Sequence, residues 1–431
     1  MTLLLRRAAA DLCQPLGSTA YRRIWMAQVL SELGDYAARL ALSMLVYERT
    51  GSASLATVTL AMSLLPWVGP GQLLATLADR FGRRVVMVTC DLVRAATYLA
   101  LCLPIPLEWL LVLTFVAGLA APPFGAARSA AMAEVVPAPL LGGAYRLAGI
   151  TQDLSMVVGS LVGGVMLALV GPVVALQANA TSFVVSALVL ARLPPLRVAS
   201  EGDGPTVLTA PGRLRLAVAV LWRDRLVRRV LLLANLAVAS GTAVEMLVVP
   251  HAAAEFGRSA WVAGAIWAAT SAVSVVVTAA TPTDVDTRRL VRATTLVAVV
   301  PAAVAGAVLL VPDAAVASLG FVAAGGLFAA LVPAQTIIGP RLPAPVRATA
   351  FAVLMGVMAL MQVVLVLAGG ALADEVGART AAAMMCAPPL LAAAGLRLVP
   401  HRARRAATAP TGVAADLPAD AGQARSVRAT P

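Results

Sequence analysis

The chain has 431 residues, 60% of them hydrophobic and only 13% charged. That is more apolar surface than a soluble domain can hide, so the chain reads as an all-α, polytopic membrane protein. The net charge is +12 with 33 basic residues, every one an arginine, which excludes an ATP-binding Walker A loop and Schiff-base chemistry within this chain, since both need a lysine. The arginines follow alternate loops, which is membrane topology and not a nucleic-acid patch. No cofactor or metal is implied: Cys13, Cys90, Cys102 and Cys386 lack metal or redox spacing and read as small buried side chains.

Apolar runs of about 20 residues, separated by charged or Pro/Gly-rich breaks, predict twelve spans. They fall at 22–48, 54–78, 85–105, 107–127, 140–168 and 171–192, then at 229–250, 260–281, 290–311, 314–336, 346–372 and 377–399. A short segment, 1–21, precedes them. Its apolar stretch Thr2–Leu5 is too short for a cleavable signal, so the first helix is expected to serve as an uncleaved one. Arg49, Arg258 and Arg379 fall in odd loops and Arg39 and Arg94 inside spans, whereas the other arginines gather in the tails and around even loops. Those loops and both termini are therefore expected in the cytoplasm.

The first helix holds Glu32, Asp35 and Arg39, which at 100° per residue share one face. Asp35 falls near the bilayer midplane, where ionisable groups are costly and should face water or each other. Asp35 or Glu32 can be read as a proton acceptor, or Asp35 and Arg39 as a self-neutralising i, i+4 pair. After the second run comes Ala75-Thr-Leu-Ala-Asp79-Arg80-Phe-Gly82-Arg83-Arg84, a charged turn that must sit in water and hold two spans together. It closely resembles the G-x-x-x-D-R-x-G-R-R loop between the second and third helices of major facilitator superfamily transporters, with Ala75 for the first glycine. Tyr21-Arg22-Arg23 through Gly34-Asp35 to Thr50-Gly51-Ser52 is similar to the first helix of the enterobactin-exporter and macrolide-efflux branch, a group of drug:proton antiporters. Glu32 is not part of that pattern. The resemblance implies two pseudo-symmetric six-helix bundles around a midplane cavity, alternating access, and a latch at the Asp79–Arg84 turn.

Further along, Asp91 and Arg94 of the third helix read as a structural pair tied to that gate, and Arg128, closing the fourth helix, as a gating arginine outside the cavity. Asp153 in the fifth helix and Glu245 in the seventh have no local partner, so either transport or a cross-helix arginine explains them. Gly159-Ser160-Leu-Val-Gly163-Gly164 resembles the antiporter motif G-P-x-x-G-G with Ser160 for proline; small residues at that spacing also serve helix packing alone. The fourth helix lacks the early arginine of proton-coupled drug antiporters. Asn179, Asn235 and Gln362 suit either a cavity or polar contacts between helices. Trp25, Trp109 and Trp261 read as interface anchors, Trp67, Trp267 and Phe328 as pocket-lining or lipid-facing, and His251 as an exposed loop histidine.

These features divide the chain into a first bundle at 22–192, a cytoplasmic loop at 193–228 with an arginine-rich amphipathic helix, a second bundle at 229–399 and a disordered tail at 400–431. The halves repeat: Asp284 and Arg288-Arg289 fall over Asp79 and Arg83-Arg84, Pro343-Ala344 over Pro137-Ala138, and Gly369-Gly370 over Gly163-Gly164. The expected activity is proton-coupled export of a hydrophobic or amphipathic small molecule, such as a drug, siderophore or secondary metabolite. The expected setting is a monomer in the lipid bilayer of the plasma membrane of a GC-rich bacterium. A small-nutrient importer and a lysophospholipid flippase share the fold; a membrane transferase would need a loop cluster of acids or histidines, and none is visible.

Overall fold

The computed structural model describes residues 14–69, 71, 74, 81–196, 210–257, 260–281, 286–338, 341–342 and 347–397. Cys13, Asp79, Arg80, Arg258, Asp284, Pro343-Ala344 and the expected tail lie outside them. All regular structure among the described residues is helical.

Helix α1 (Thr19–Thr50) opens at Ser18, whose hydroxyl accepts from the Tyr21 amide at 3.4 Å. It closes at Gly51, where φ is +66° and the glycine amide bonds the Tyr47 carbonyl at 2.8 Å. Ser52 then caps α2 (Ala53–Leu64), accepting from the Leu55 amide at 3.2 Å, and α2 tightens into a 3-10 turn at Leu65–Val68. Next come α3 (Arg83–Leu101) and α4 (Leu107–Leu119). The following α5 (Ala121–Val135) starts with Pro122 and Pro123, whose missing amides belong at a helix start. The 54 residues of α6 (Ala138–Ala191) would span about 80 Å if straight, far more than the ~30 Å hydrocarbon thickness. Gly171, at φ +81° before Pro172, breaks it in two.

The surface helix α7 (Ala210–Arg223) lies where the arginine-rich amphipathic helix is expected. Asp224 then caps α8 (Arg225–Met246) by accepting from the Leu226 and Val227 amides, and α9 (Val248–Glu255) continues its path. After these come α10 (Ala260–Ala280), α11 (Thr287–Leu309), capped by Asp286, and α12 (Ala314–Ala324), capped by Asp313. A 3-10 stretch leads into α13 (Leu331–Ile338), followed by α14 (Arg347–Val376), α15 (Ala378–Met385) and α16 (Ala387–Arg397).

Among the described residues, seven helical stretches are long and apolar enough to cross a membrane: Leu107–Val135, Ala138–Ala191, Arg225–Glu255, Ala260–Ala280, Thr287–Leu309, Ala314–Ile338 and Thr349–Val376. Seven is fewer than the expected twelve, for physical reasons. α1 and α3 hold Glu32, Asp35, Arg39, Asp91 and Arg94 in their middles, the two parts of α6 form one stretch, the described part of the second run (Ala53–Val68) is short, and the last run is divided between α15 and α16. The fold is thus an all-α, multi-pass membrane protein. Its outer faces carry bare Leu154, Leu169, Val276 and Leu391, as lipid contact requires.

Small residues let the helices touch. A Cβ on Gly159 would meet the Leu33 carbonyl at 2.8 Å, and one on Gly163 would meet the Ala37 Cα at 2.7 Å, so α6 lies against α1 backbone to backbone. Gly164 stands equally close to Gly264 of α10, and Gly370 of α14 to Ser54 and Thr57 of α2. Ser160, in place of the motif proline, donates to the Met156 carbonyl at 2.7 Å and keeps α6 continuous. At one end of the molecule Tyr21, Ile24, Met87, Phe124, Met132 and Leu190 form an apolar core.

Candidate transport cavity

One face of α1 is polar for about three turns, from Gln28 to Arg39, and the structure turns that face inward. Gln28, Ser31, Glu32, Asp35, Tyr36 and Arg39 line a cavity of about 210 Å³. Opposite them stand Leu60, Ser63 and Trp67 of α2 and its turn, Arg94 and Tyr98 of α3, Arg128 of α5, and Gln152 of α6. Glu32, Asp35 and Arg39, which the helical face argument groups, all line this one cavity. Tyr36, four residues after Glu32, could have been found the same way.

Two ion pairs cross the cavity wall. Arg128 donates to Glu32 at 3.0 Å, and Arg94 lies 3.6 Å from Asp35, with all four side chains a quarter exposed or less. Neither pairing follows from sequence neighbours. Arg94 does not pair with Asp91, and Asp35 pairs with Arg94 instead of Arg39. Arg128 stands in the cavity wall and not outside it. The cause of the first is direction: the Arg94 guanidinium is held between the rings of Phe124 (5.7 Å) and Phe183 (5.1 Å), which aims it at α1. Asp91, fully buried, instead accepts from the Ser186 hydroxyl at 2.6 Å. Its second oxygen, Oδ1, has no hydrogen-bond partner among the described residues. Arg39 lies over the Tyr36 ring at 5.3 Å and within electrostatic range of Glu245 on α8.

The remaining predicted residues scatter. Asp153 and Glu245 are half-buried but do not line the cavity. Asn179 is buried and presses its side-chain oxygen against Gly34, joining α6 to α1, and Gln362 donates to Thr242 at 2.8 Å between α14 and α8. His251 corrects the expectation of an exposed histidine. It is buried, 3.2 Å from the Ser318 hydroxyl and stacked on Phe321 at 4.7 Å, because α9 extends the buried path of α8. Trp67 lines the cavity, Trp267 is buried, and Trp109 and Trp261 are exposed, while Trp25 donates to Thr151 at 2.8 Å. Of the charged turn, Asp79 and Arg80 lie outside the described residues. Gly82 begins α3 with φ +81°, Arg83 pairs with Glu134 of α5, and Arg84 donates to the Leu193 carbonyl at 2.8 Å. These described arginines tie α3 to its own half of the chain.

A multi-pass helical fold around a cavity walled by intramembrane charges defines a membrane transporter. The model of the Major Facilitator Superfamily matches residues 24–338, and the chain belongs to that superfamily, a family known for transport and not catalysis. Among curated proteins it is similar to the multidrug efflux pump Tap of Mycobacterium tuberculosis, at 30% identity over 184 residues, which cover 39% of this chain and 43% of that one. The chain thus matches less than half the length of that relative. Among solved structures it is similar to a bacterial homolog of the human lysosomal transporter Spinster, in an inward-facing, unoccupied conformation. There the TM-score is 0.70 and the identity 16%, over 87% of this chain and 96% of that one. The nucleoside transporter NupG follows with a TM-score of 0.67 and 13% identity, over 88% and 99%. These likenesses span different transporter groups and speak for the fold alone.

Proposed function

We propose that this chain is a secondary exporter that moves a hydrophobic or amphipathic small molecule out of the cell in exchange for protons. In this reading twelve helices form two six-helix bundles in the plasma membrane, with both termini in the cytoplasm and the 193–228 loop between the bundles. The observation that carries it is the pair of acids on α1, each bridged to an arginine of another helix inside one cavity. Ionised groups at such depth are costly unless matched, and two matched pairs around an open space are more than neutral packing requires. The partial likeness to a multidrug efflux pump supports the substrate class.

Asp35 is the proton site in this mechanism. When a proton binds from outside, the carboxylate loses its charge and the Arg94 guanidinium loses its partner. Asp91, three residues earlier on α3 and with one oxygen open, is the next acceptor for it. Handing Arg94 from Asp35 to Asp91 loosens α1 from α3 and favours reorientation. Proton release inside restores the first pair. The cavity is smaller than the ~300–1,000 Å³ of common small-molecule sites, so a drug-sized substrate requires its walls to part, as alternating access provides.

The test uses everted vesicles energised by respiration and a lipophilic fluorescent drug. Accumulation should collapse with a protonophore and be lost in Asp35→Asn while expression is kept. Wild-type, protonophore-sensitive accumulation in Asp35→Asn removes Asp35 from the mechanism, and flux seen only in right-side-out vesicles overturns export.

A further inference from the structure

We propose that Asp374 is a latch residue of the transport cycle, holding the two halves of the chain together at the membrane face opposite the arginine-rich turn. The inference rests on the alternating-access reading above, but its evidence is separate from the cavity. Asp374 lies near the C-terminal end of α14, and its carboxylate reaches across to the start of α2, more than 300 residues away in sequence. There it accepts from the Ala53 amide at 2.7 Å, the Ser54 amide at 3.2 Å, the Ser52 hydroxyl at 2.9 Å and the Ser54 hydroxyl at 2.5 Å.

The chemistry suits a reversible lock. The first amides of a helix have no partner within it, and the aligned peptide dipoles leave that end positive, so a carboxylate is a strong match. Ser52 already caps α2 from within, so Asp374 is not needed for the helix to start. What Asp374 adds is a bridge between helices of the two halves. One turn earlier Gly370 brings the backbones together: a Cβ there would meet Ser54 and Thr57. The close approach and the carboxylate thus act on the same two helices at the same end. Asp374 itself is exposed and Ser52 and Ser54 are half-buried, so water can take over its hydrogen bonds when the halves part, as a contact that breaks every cycle requires.

With the latch made, this face is closed; the cavity opens there only when Asp374 leaves α2. The experiment is a spin-label distance measurement on the full chain, with its four cysteines replaced and labels at Leu103→Cys and Leu310→Cys. Both positions are exposed, just past the ends of α3 and α11 that lie on this face. Asp374→Ala should add a longer distance and raise the open-to-closed ratio about tenfold, the scale of one charge-assisted hydrogen bond lost. Ser54→Ala should produce a smaller change that does not add to that of Asp374→Ala, because both remove the same bridge. A wild-type distance distribution in Asp374→Ala, or full additivity of the two variants, overturns the latch. Failure of the export reading is distinct: it would show as no drug accumulation in wild-type vesicles, whatever the distances do.

Discussion

At the scale of single residues, the pairing of Asp35 with Arg94 decides how charge is tolerated inside the bundle. Removing one member of a buried pair leaves the other uncompensated, at a cost of about 3–5 kcal/mol, whereas removing both can be nearly neutral. Because this pair faces a cavity, the lower end of that range applies. Arg94→Ala should therefore lower the melting temperature in detergent, and Asp35→Asn combined with Arg94→Gln should recover most of the loss without restoring proton-linked transport. If the double variant melts no higher than Arg94→Ala, the two side chains are not partners. The sequence placed Asp35 on the inward face, since helical periodicity is local. It did not reveal the partner, because Arg94 is nearer in sequence to Asp91 and is turned away by Phe124 and Phe183, which lie on other helices. Arg128 shows the same limit: the sequence reading sets it at the end of the fourth run, whereas it lies in the middle of α5, and its reach to Glu32 depends on how α5 lies against α1.

At the scale of elements, glycines set which helices can touch. Gly164 and Gly264 meet backbone to backbone between α6 and α10, with nothing flexible to yield. Gly164→Ala should push the two helices apart and cost about 1–3 kcal/mol, as overpacking does. Gly149, on the same helix with open space at its Cβ position, should behave oppositely. There alanine removes backbone entropy from the unfolded chain and should stabilise by roughly 0.5–1 kcal/mol. Thermal unfolding of the two variants checks this contrast, and equal melting temperatures would contradict the close contact. The repeat of Gly163-Gly164 at Gly369-Gly370 was visible in the sequence, and both members sit at contacts between early and late helices: Gly164 with α10, Gly370 with α2. Spacing alone could not name those partner helices. Charge did not hide α1 and α3 from the sequence: the apolar runs at 22–48 and 85–105 fall on well-formed helices, although their buried ionisable groups keep both out of the apolar class.

At the scale of the whole molecule, the question is whether the cavity communicates with both sides of the membrane in turn. The close contacts of α6 with α10 and of α2 with α14 join early and late helices on either side of the chain's middle, so opening one face while the other stays shut requires movement about these contacts. Ser63 lines the cavity, and Ser186 lies fully buried behind Asp91, so the two report different depths. In a chain with its native cysteines replaced, Ser63→Cys should react with a membrane-impermeant thiol reagent from either face. A transported drug should slow that reaction, and Asp374→Ala should speed it from the face where the latch sits. Ser186→Cys should stay unreactive from both faces, which controls for unfolding. Labelling of Ser63→Cys from one face alone, unchanged by the proton gradient and by Asp374→Ala, would mean a blind vestibule. In that case the paired acids of α1 would stabilise the bundle without lying on a path across it.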